Sequence, residues 1–251
     1  MKVSIITITF NSAETIEDTI QSVLSQDYPN IEYILVDGAS KDGTLEIIER
    51  YRNSISTVIS ERDNGIYDAM NKGVALATGD VIGILNSDDF YADSTVISDI
   101  VKTMQRAASD ACYADLVYVD RNDTNRIIRS WKSGDYRQGQ FLRGWMPPHP
   151  TFFVKRSIYE MHGSYALNLR SAADYELMLR FIHKHAISLS YLPRVITKMR
   201  TGGQSNVSLK NRWRANREDR LAWKMNGLQP GFFTLLRKPL SKLLQYLPGK
   251  Q

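Results

Sequence analysis

Strand-like and helix-like segments alternate through the first half of this chain, and this alternation indicates its fold class. The predicted strands are the β-branched, apolar runs Val3–Thr9, Ile31–Val36, Ser54–Ser60 and Val81–Leu85. The segments between them have the apolar spacing of helices. They are a segment starting with a capping-box pattern at Asn11 and Glu14, then Leu45–Tyr51 and Ile66–Ala77. Repeated strand–helix units predict a parallel sheet with helices on both faces.

The second half of the chain has a different pattern. Two strands, Tyr113–Val119 and Arg126–Trp131, are joined by a polar turn and are expected to pair antiparallel. A strand at Thr151–Val154 and a helix at Ala173–His183 follow. The composition, 43% hydrophobic and 24% charged over 251 residues, is that of a soluble globular protein. We therefore expect an α/β fold, a single domain with a parallel half and an added mixed-sheet half.

Polar residues stand at the ends of three predicted strands that should share one edge of the sheet. They are Thr9 and Asn11 after the first strand, Asp37 after the second, and Asp88 and Asp89 after the fourth. Asp and Asn are also common turn formers, so one such loop would mean little. Three of them favour a ligand site, because ligands of parallel α/β sheets bind beyond the carboxyl ends of the strands.

Asp88 and Asp89 are candidates for a metal site. Adjacent carboxylates offer the oxygen ligands that Mg²⁺ or Mn²⁺ prefers, and such an ion takes further ligands from waters and phosphates. The chain has no Gly-x-x-x-x-Gly-Lys loop and no Gly-x-Gly-x-x-Gly loop after its first strand, so a metal would have to neutralise a diphosphate. The alternative is that the two acids cap the helix predicted at Ser94–Ala107.

Two further acids have a functional and a structural interpretation. Asp37 could accept hydrogen bonds from a nucleobase or a ribose, whereas the nearby Asp42 is better explained as a turn and cap residue. Asp174 follows small residues at the start of a predicted helix, where it could act as a general base or simply as a cap. Spacing alone leaves both interpretations of Asp174 open.

Six segments of the chain occur in the order in which one enzyme family has them. They are VSIITITFN at 3–11, ILVDGASKDGT at 34–44, DNGIYDAMNKG at 63–73, NSDD at 86–89, HPTFF at 149–153 and ADYEL at 173–177. On these motifs the chain resembles the inverting glycosyltransferases of family 2, which have the GT-A fold. Within that family it is most similar to bacterial enzymes that make exopolysaccharides of the colanic-acid type.

The resemblance implies roles for particular residues. It implies a nucleotide-sugar pocket lined by Thr9, Asn11, Asp37, Asp68, Lys72 and Asp88. Within that pocket Asp37 would bind the base. Asp88 and Asp89 would bind Mg²⁺ or Mn²⁺, and Asp174 would be the catalytic base. His149 would lie near the acceptor or the diphosphate, with a loop-packing histidine as an equal alternative.

The chain departs from the family pattern in three respects. Asn86 replaces the first Asp of the metal motif, and Ala173 replaces the Glu that commonly precedes the base. The Gln-x-x-Arg-Trp motif of processive members is missing. The resemblance therefore implies a non-processive enzyme that transfers one sugar from a UDP- or GDP-sugar to a lipid-linked glycan acceptor, in bacterial surface polysaccharide biosynthesis.

The expected organisation is a GT-A domain at 1–205 and a C-terminal tail at 206–251. The domain would comprise a nucleotide-sugar half at 1–110 and an acceptor half at 111–205. The net charge of +5 is divided unevenly, because residues 194–251 contain 13 basic and 2 acidic residues and carry +11, while the remainder carries −6. An acidic body is a poor nucleic-acid partner, so we expect no nucleic-acid binding.

Residues 210–250 form a basic, amphipathic segment. Trp213 and Trp223 interleave with its basic residues, and leucines between 240 and 247 have helical spacing. Such a segment suits an anionic membrane surface, although a helix packed on the domain would explain it too. The single cysteine, Cys112, allows no internal disulfide and fits a reducing compartment. We expect a cytoplasmic protein, peripheral on the inner face of the bacterial plasma membrane.

Two alternatives to a glycosyltransferase follow from the same sequence. The first is a sugar nucleotidyltransferase, which usually has a glycine-rich loop with Arg and Lys after its first strand. This chain has Asn11-Ser12-Ala13-Glu14 there. The second is a non-enzymatic nucleic-acid-binding protein that uses the basic tail, and it gives no role to the acids at the strand ends.

Overall fold

A computed structural model of the protein describes residues 1–202, 209–231 and 234, and only the backbone of residues 209–216. The strands are β1 Val3–Thr9, β2 Ile31–Asp37, β3 Thr57–Ser60, β4 Val81–Asn86, β5 Asp89–Tyr91, β6 Ala111–Val119, β7 Ile127–Trp131, β8 Phe153–Lys155 and β9 Leu189–Arg200. The helices are α1 Ile16–Leu24, α2 Thr44–Arg50, α3 Ile66–Leu76, α4 Val96–Ala107, α5 Arg156–His162, α6 Ala173–Met178 and α7 Leu209–Met225. The strands form one mixed sheet in the order β3-β2-β1-β4-β8-β6-β9-β5, with β7 paired to β6.

The parallel half of the sheet consists of β1 to β4, as the alternation in the sequence predicts. β1 pairs in parallel with β2 and β4, and β2 pairs in parallel with β3. Successive side chains of β1 point to opposite faces of the sheet. Ile5 packs in one core with Ile16 of α1, and Ile6 packs in a second core with Met70 of α3. The expected α/β fold, with helices on both faces, is confirmed.

The mixed half of the sheet contains elements that the sequence pattern does not indicate. β6 pairs antiparallel with β7, as predicted, and also with β8. β9 runs parallel to β6, and the short β5 pairs antiparallel with β9. The pattern predicts neither β5, β9 nor α5. β5 bears directly on the candidate site, because Asp89 is its first residue and lies opposite Met199 of β9.

The predicted start of the first helix is wrong. α1 begins at Ile16, after Thr15, and not at a cap formed by Asn11. Asn11 instead has a left-handed backbone, with φ at 49°, and its side-chain oxygen accepts a hydrogen bond from the Lys41 amide at 2.9 Å. The side chain that would have capped the helix therefore ties the β1 loop to the β2 loop.

The C-terminal half of α7 packs on the domain. Ala222 and Trp223 are buried, and Trp223 Nε1 donates to the Tyr175 hydroxyl at 2.9 Å. Trp223 is therefore a core residue and not an aromatic available to a membrane, which corrects that part of the expectation. Trp213 and the leucines at 240–247 lie outside the described side chains. Within the described residues, no helix is long and apolar enough to cross a bilayer.

Candidate active site

The carboxyl ends of β1, β2 and β4 bring the predicted site segments to one edge of the sheet. In the parallel register Thr9 lies opposite Asp37, and Ile8 lies opposite Asn86. Neighbouring strands are about 4.8 Å apart, so these strand ends are immediate neighbours. Asp88 and Asp89 follow at the turn from β4 into β5. The expectation that these strand ends share an edge agrees with the topology.

Asp37 organises the loop that follows β2. The residue is fully buried, and its Oδ2 accepts hydrogen bonds from the Ser40 amide at 3.0 Å and from Ser60 Oγ at 2.6 Å. Its Oδ1 accepts a further hydrogen bond from Ser40 Oγ at 2.5 Å. Asp42, as expected, serves as a local cap, since its Oδ1 accepts from the Thr44 amide and hydroxyl. Both acids therefore shape the loop beside Asn11.

Phe10 lies within the first sequence motif, but it is not among the site residues predicted from the sequence. The structure adds it to the site. Its side chain is 56% exposed although it directly follows a wholly buried strand. The ring lies against Gly38, where a Cβ atom would come within 3.2 Å of Phe10 Cδ2 and 2.9 Å of Asp63 Oδ2. Gly38 therefore lets the ring pack directly against the loop after β2, while the exposed part of the ring stays open to a planar ligand. The sequence signal was an aromatic residue between Thr9 and Asn11.

Lys72 of α3 lies in an acidic rim beside this edge. Its Nζ is 2.7 Å from Asp63 Oδ1, 2.9 Å from Glu61 Oε1 and 3.7 Å from Asp68 Oδ2. The hydrogen bonds to Asp63 and Glu61 raise the pKa of Lys72, so its positive charge is fixed at neutral pH. The structure thus brings the predicted residues Asp68 and Lys72 together, one helical turn apart.

Asp89 is a buried acid that is only partly paired. It is fully buried, and its Oδ2 accepts a hydrogen bond from Asn86 Nδ2 at 3.1 Å. Asp89 Oδ1 and Asn86 Oδ1 are buried and have no hydrogen-bond partner among the described residues. Burial and the adjacent Asp88 raise the pKa of Asp89 well above its ordinary value. Burial likewise raises the pKa of Asp88.

These residues fit a divalent cation. Two unpartnered carbonyl and carboxylate oxygens in a buried position are costly unless a cation or a donor meets them. In the part of the chain that the structure describes, no three His, Cys, Asp or Glu side chains converge as a complete metal cage. The set is therefore suited to an ion such as Mg²⁺ or Mn²⁺ that takes its other ligands from waters and phosphate oxygens.

Arg200 is a cation beside this acidic pair that the sequence does not indicate. It ends β9, is 5% exposed, and its Nη1 donates to the Asp88 carbonyl at 3.1 Å. Its guanidinium lies 4.8 Å from the Phe90 ring centre and forms an ion pair with Asp18. Arg200 lowers the pKa values of Asp88 and Asp89 and so opposes the effect of burial.

Asp174 lies in the first turn of α6 and its carboxylate contacts a tyrosine. The N-cap of α6 is Ala172, which makes no side-chain capping hydrogen bond. Asp174 Oδ1 instead accepts a hydrogen bond from the Tyr67 hydroxyl of α3 at 3.1 Å. The helix predicted to reach His183 ends at Met178 and continues as a π-helical segment, Leu179–Lys184. The contact with Tyr67 distinguishes Asp174 from a simple helix cap.

His149 is linked to Asp174 through two tyrosines, Tyr67 and Tyr165. Tyr67 stacks on Tyr165 with ring centres 5.8 Å apart, and the Tyr165 hydroxyl is hydrogen-bonded to His149 Nε2 at 2.7 Å. Asn71 of α3 holds the Tyr165 backbone through two hydrogen bonds of 2.9 Å. Burial lowers the pKa of His149, against the raising effect of Asp174, so a neutral imidazole is favoured. Tyr67, Asn71 and Tyr165 are thus further residues of the site.

A mixed α/β sheet with this strand order, and with acids at the carboxyl ends of its parallel strands, is the architecture of the GT-A glycosyltransferases. The sequence profile described as glycosyl transferase family 2 matches residues 4–175. The chain belongs to this family.

Individual relatives and solved structures agree with this assignment. A PGL/p-HBAD biosynthesis glycosyltransferase from Mycobacterium tuberculosis is 29% identical over 209 residues, which cover 81% of this chain and 79% of that protein. The crystal structure of S. aureus TarS in complex with UDP aligns with a TM-score of 0.67 at 21% identity, over 88% of this chain and 65% of that chain. The mannosyltransferase PcManGT from Pyrobaculum calidifontis, in complex with GDP-Man and Mn²⁺, aligns with a TM-score of 0.67 at 18% identity, over 100% of this chain and 76% of that chain.

Proposed function

We propose that this glycosyltransferase moves a single sugar from a UDP- or GDP-sugar to a lipid-linked saccharide acceptor, with inversion at the anomeric carbon. The reaction would be a non-processive step in the synthesis of a bacterial surface polysaccharide. The observation that carries the proposal is the pair of buried oxygens, Asp89 Oδ1 and Asn86 Oδ1, without partners among the described residues. They stand at the strand ends where a nucleotide binds in parallel sheets and where a diphosphate could complete a metal shell.

Donor binding is assigned to the edge formed by β1, β2 and α3. The exposed Phe10 ring offers a surface on which a nucleobase can stack, close to Asp37 and Asn11. Thr9 Oγ1 is buried without a hydrogen-bond partner among the described residues and is available to a ligand donor. Lys72 and Asp68 would line the ribose and diphosphate region, with the Lys72 ammonium held in place by Glu61, Asp63 and Asp68. TarS binds UDP and PcManGT binds GDP-Man, which supports a nucleoside diphosphate sugar as donor.

Asp88, Asp89 and Asn86 are the residues that would hold Mg²⁺ or Mn²⁺. When bound, the cation would neutralise charge on the departing nucleoside diphosphate. Mn²⁺ in the PcManGT complex supports a divalent metal here. Arg200 contributes by lowering the pKa values of Asp88 and Asp89, which favours the ionised form that binds a cation.

Asp174 is proposed to be the general base. It would take the proton of the acceptor hydroxyl as the acceptor oxygen bonds to C1 and the C1–O bond to the diphosphate breaks. A single displacement of this kind inverts the anomeric centre. The hydrogen bond from Tyr67 to Asp174 Oδ1 orients the carboxylate. His149, held by Tyr165, is proposed to lie beside the acceptor or the diphosphate.

The lipid-linked acceptor and the membrane location belong to the same proposal. A lipid-linked substrate is presented at a membrane surface, and a basic segment at 210–250 would bring the enzyme to anionic lipid. Binding to vesicles with and without anionic phospholipid tests the membrane part separately from catalysis.

The central experiment screens UDP-glucose, UDP-N-acetylglucosamine and GDP-mannose with Mn²⁺ or Mg²⁺ and polyprenyl-diphosphate-linked monosaccharides. Asp174→Asn should abolish transfer and leave donor binding, measured by calorimetry, within about twofold of wild type. Asp99→Asn is the matched control, because Asp99 lies on α4 and pairs with Lys102 and Arg194. Normal transfer by Asp174→Asn would show that the base has been misassigned.

A further inference from the structure

One glutamate of α7 holds the chain segment that leads into the Asp174 helix. Glu218 Oε2 accepts hydrogen bonds from the Arg170 amide at 3.1 Å, the Ser171 amide at 2.8 Å and Ser171 Oγ at 2.9 Å. Hydrogen bonds to an ionised acceptor are roughly twice as strong as neutral ones. Residues 170 and 171 directly precede Ala172, the N-cap of α6. Glu218 therefore fixes the point at which the short helix carrying Asp174 begins.

The same helix also holds the residues that follow Asp174. Trp223 Nε1 donates to the Tyr175 hydroxyl at 2.9 Å, and Asn226 Nδ2 donates to Glu176 Oε1 at 2.9 Å. Trp223 is buried in the core that contains α6, so α7 is anchored there by packing as well as by Glu218. Asp174 is thus bracketed on both sides by contacts from one helix.

We propose that Glu218 is a positioning residue for Asp174, acting through residues 170 and 171. The inference rests on the proposed role of Asp174 as the base. α6 has six residues and no side-chain cap, so its first turn depends on support from outside the helix. A base must lie within hydrogen-bond reach of the acceptor hydroxyl, and a displacement of about 1 Å can cost about 100-fold in rate.

The test compares Glu218→Ala with a destabilised variant that is distant from α6. Val101 of α4 is buried in the core on the other face of the sheet, so Val101→Ala weakens packing without touching residues 170–176. We expect Glu218→Ala to lower kcat about 10- to 100-fold, with the donor KM within about twofold of wild type. Val101→Ala should keep kcat within about twofold at a comparable fall in melting temperature. The assay follows release of UDP or GDP from whichever of the three screened donors supports transfer.

Three comparisons decide the outcome. Glu218→Gln keeps an oxygen acceptor and should recover part of the kcat lost in Glu218→Ala. A kcat of Glu218→Ala within about twofold of wild type, or an equal loss in Val101→Ala, overturns the inference. If Glu218→Ala does not fold, the kinetics of Glu218→Gln test the inference in its place. A fall in kcat of about threefold or more at unchanged donor KM supports the inference, and an unchanged kcat overturns it.

Asp174→Asn, measured in parallel, separates this inference from the proposed function. If Asp174→Asn transfers sugar normally, the base assignment fails and the role of Glu218 fails with it. If Asp174→Asn is inactive while the Glu218 variants keep their kcat, only the positioning role is lost.

Discussion

Replacing Asn86 with aspartate turns a hydrogen bond at the proposed metal site into a repulsion. Asn86 Nδ2 donates to Asp89 Oδ2 at 3.1 Å in a fully buried position. Two carboxylates at that distance repel by about 5 kcal/mol at an effective dielectric constant of about 20. Proton uptake limits the cost: protonating an Asp with an ordinary pKa of about 3.9 at pH 7 costs about 4 kcal/mol, and it costs less for Asp89, because burial and Asp88 already raise its pKa. We therefore expect Asn86→Asp to lower the free energy of unfolding by about 1 to 4 kcal/mol without metal.

Urea unfolding at pH 7 in EDTA measures this loss, and the same experiment with Mn²⁺ measures its recovery. A third oxygen ligand of negative charge should make Mn²⁺ stabilise the variant more than it stabilises the wild type. Asn53→Asp is the matched control, because Asn53 is exposed in the 3-10 turn Arg52–Ser54, and its effect should stay within about 0.5 kcal/mol. Wild-type stability of Asn86→Asp in EDTA would refute the buried contact with Asp89. An equal Mn²⁺ effect on both proteins would refute the metal site.

Three further changes test other parts of the structure. Phe10→Ala should raise the donor KM about tenfold with little change in kcat, because it removes a stacking surface and no reacting group; an unchanged KM in steady-state kinetics would contradict that role. Tyr67→Phe should lower kcat about tenfold at constant donor KM, because it removes a hydrogen bond to the Asp174 carboxylate, and equal kcat values would argue against orientation by Tyr67. Burial alone raises the pKa of Glu32, but hydrogen bonds from Lys2, Ser4 and Thr78 outweigh it and lower the pKa from 4.5 to about 2. The ionised Glu32 therefore contributes stability above pH 4.5 that is lost as the pH falls toward 2, about 1 to 2 kcal/mol after solvent screening. Glu32→Gln should flatten this acid loss in urea unfolding, and an equally steep loss in the variant would contradict it.

The parallel half of the fold could be predicted from the sequence because its information is local. Each of its strands is a short β-branched run between turn residues, and the helices between them have a clear apolar face. The same pattern placed Thr9, Asp37 and Asn86 at or beside strand ends, and the parallel register then sets Thr9 opposite Asp37 and Ile8 opposite Asn86. The prediction that Asn11 caps the first helix was wrong, because its side chain accepts a hydrogen bond from a neighbouring loop and does not contact its own helix.

β9 shows why the mixed half is harder to predict. Its sequence contains Pro193, which counts against a strand because proline cannot donate a ladder hydrogen bond. In the structure the register with β6 shifts after Leu192, which lies opposite Ala114, and resumes at Val195, opposite Asp115. Pro193 therefore occupies an irregular position in the pairing. Without β9, the sequence gives no reason to bring Arg200 near the acidic pair.

The contacts of the proposed base are also long-range. Tyr67 and Asp174 are separated by 107 residues, and both have ordinary local explanations, a buried helix residue and a helix cap. Only the tertiary structure, which brings residues of α3 and α6 into one hydrophobic core, places the hydroxyl on the carboxylate. The sequence therefore indicates neither the role of Tyr67 nor its partner.

The packing of α7 has a consequence for exchanging parts between related enzymes. The family profile ends at Tyr175, yet Glu218, Trp223 and Asn226 contact residues at or next to that end. A chimera joined at residue 205 would leave these contacts to a foreign helix, whereas a junction after Gly231 would carry all three along. The smallest segment that can be transplanted with its contacts intact is therefore longer than the stretch that the family profile matches, residues 4–175.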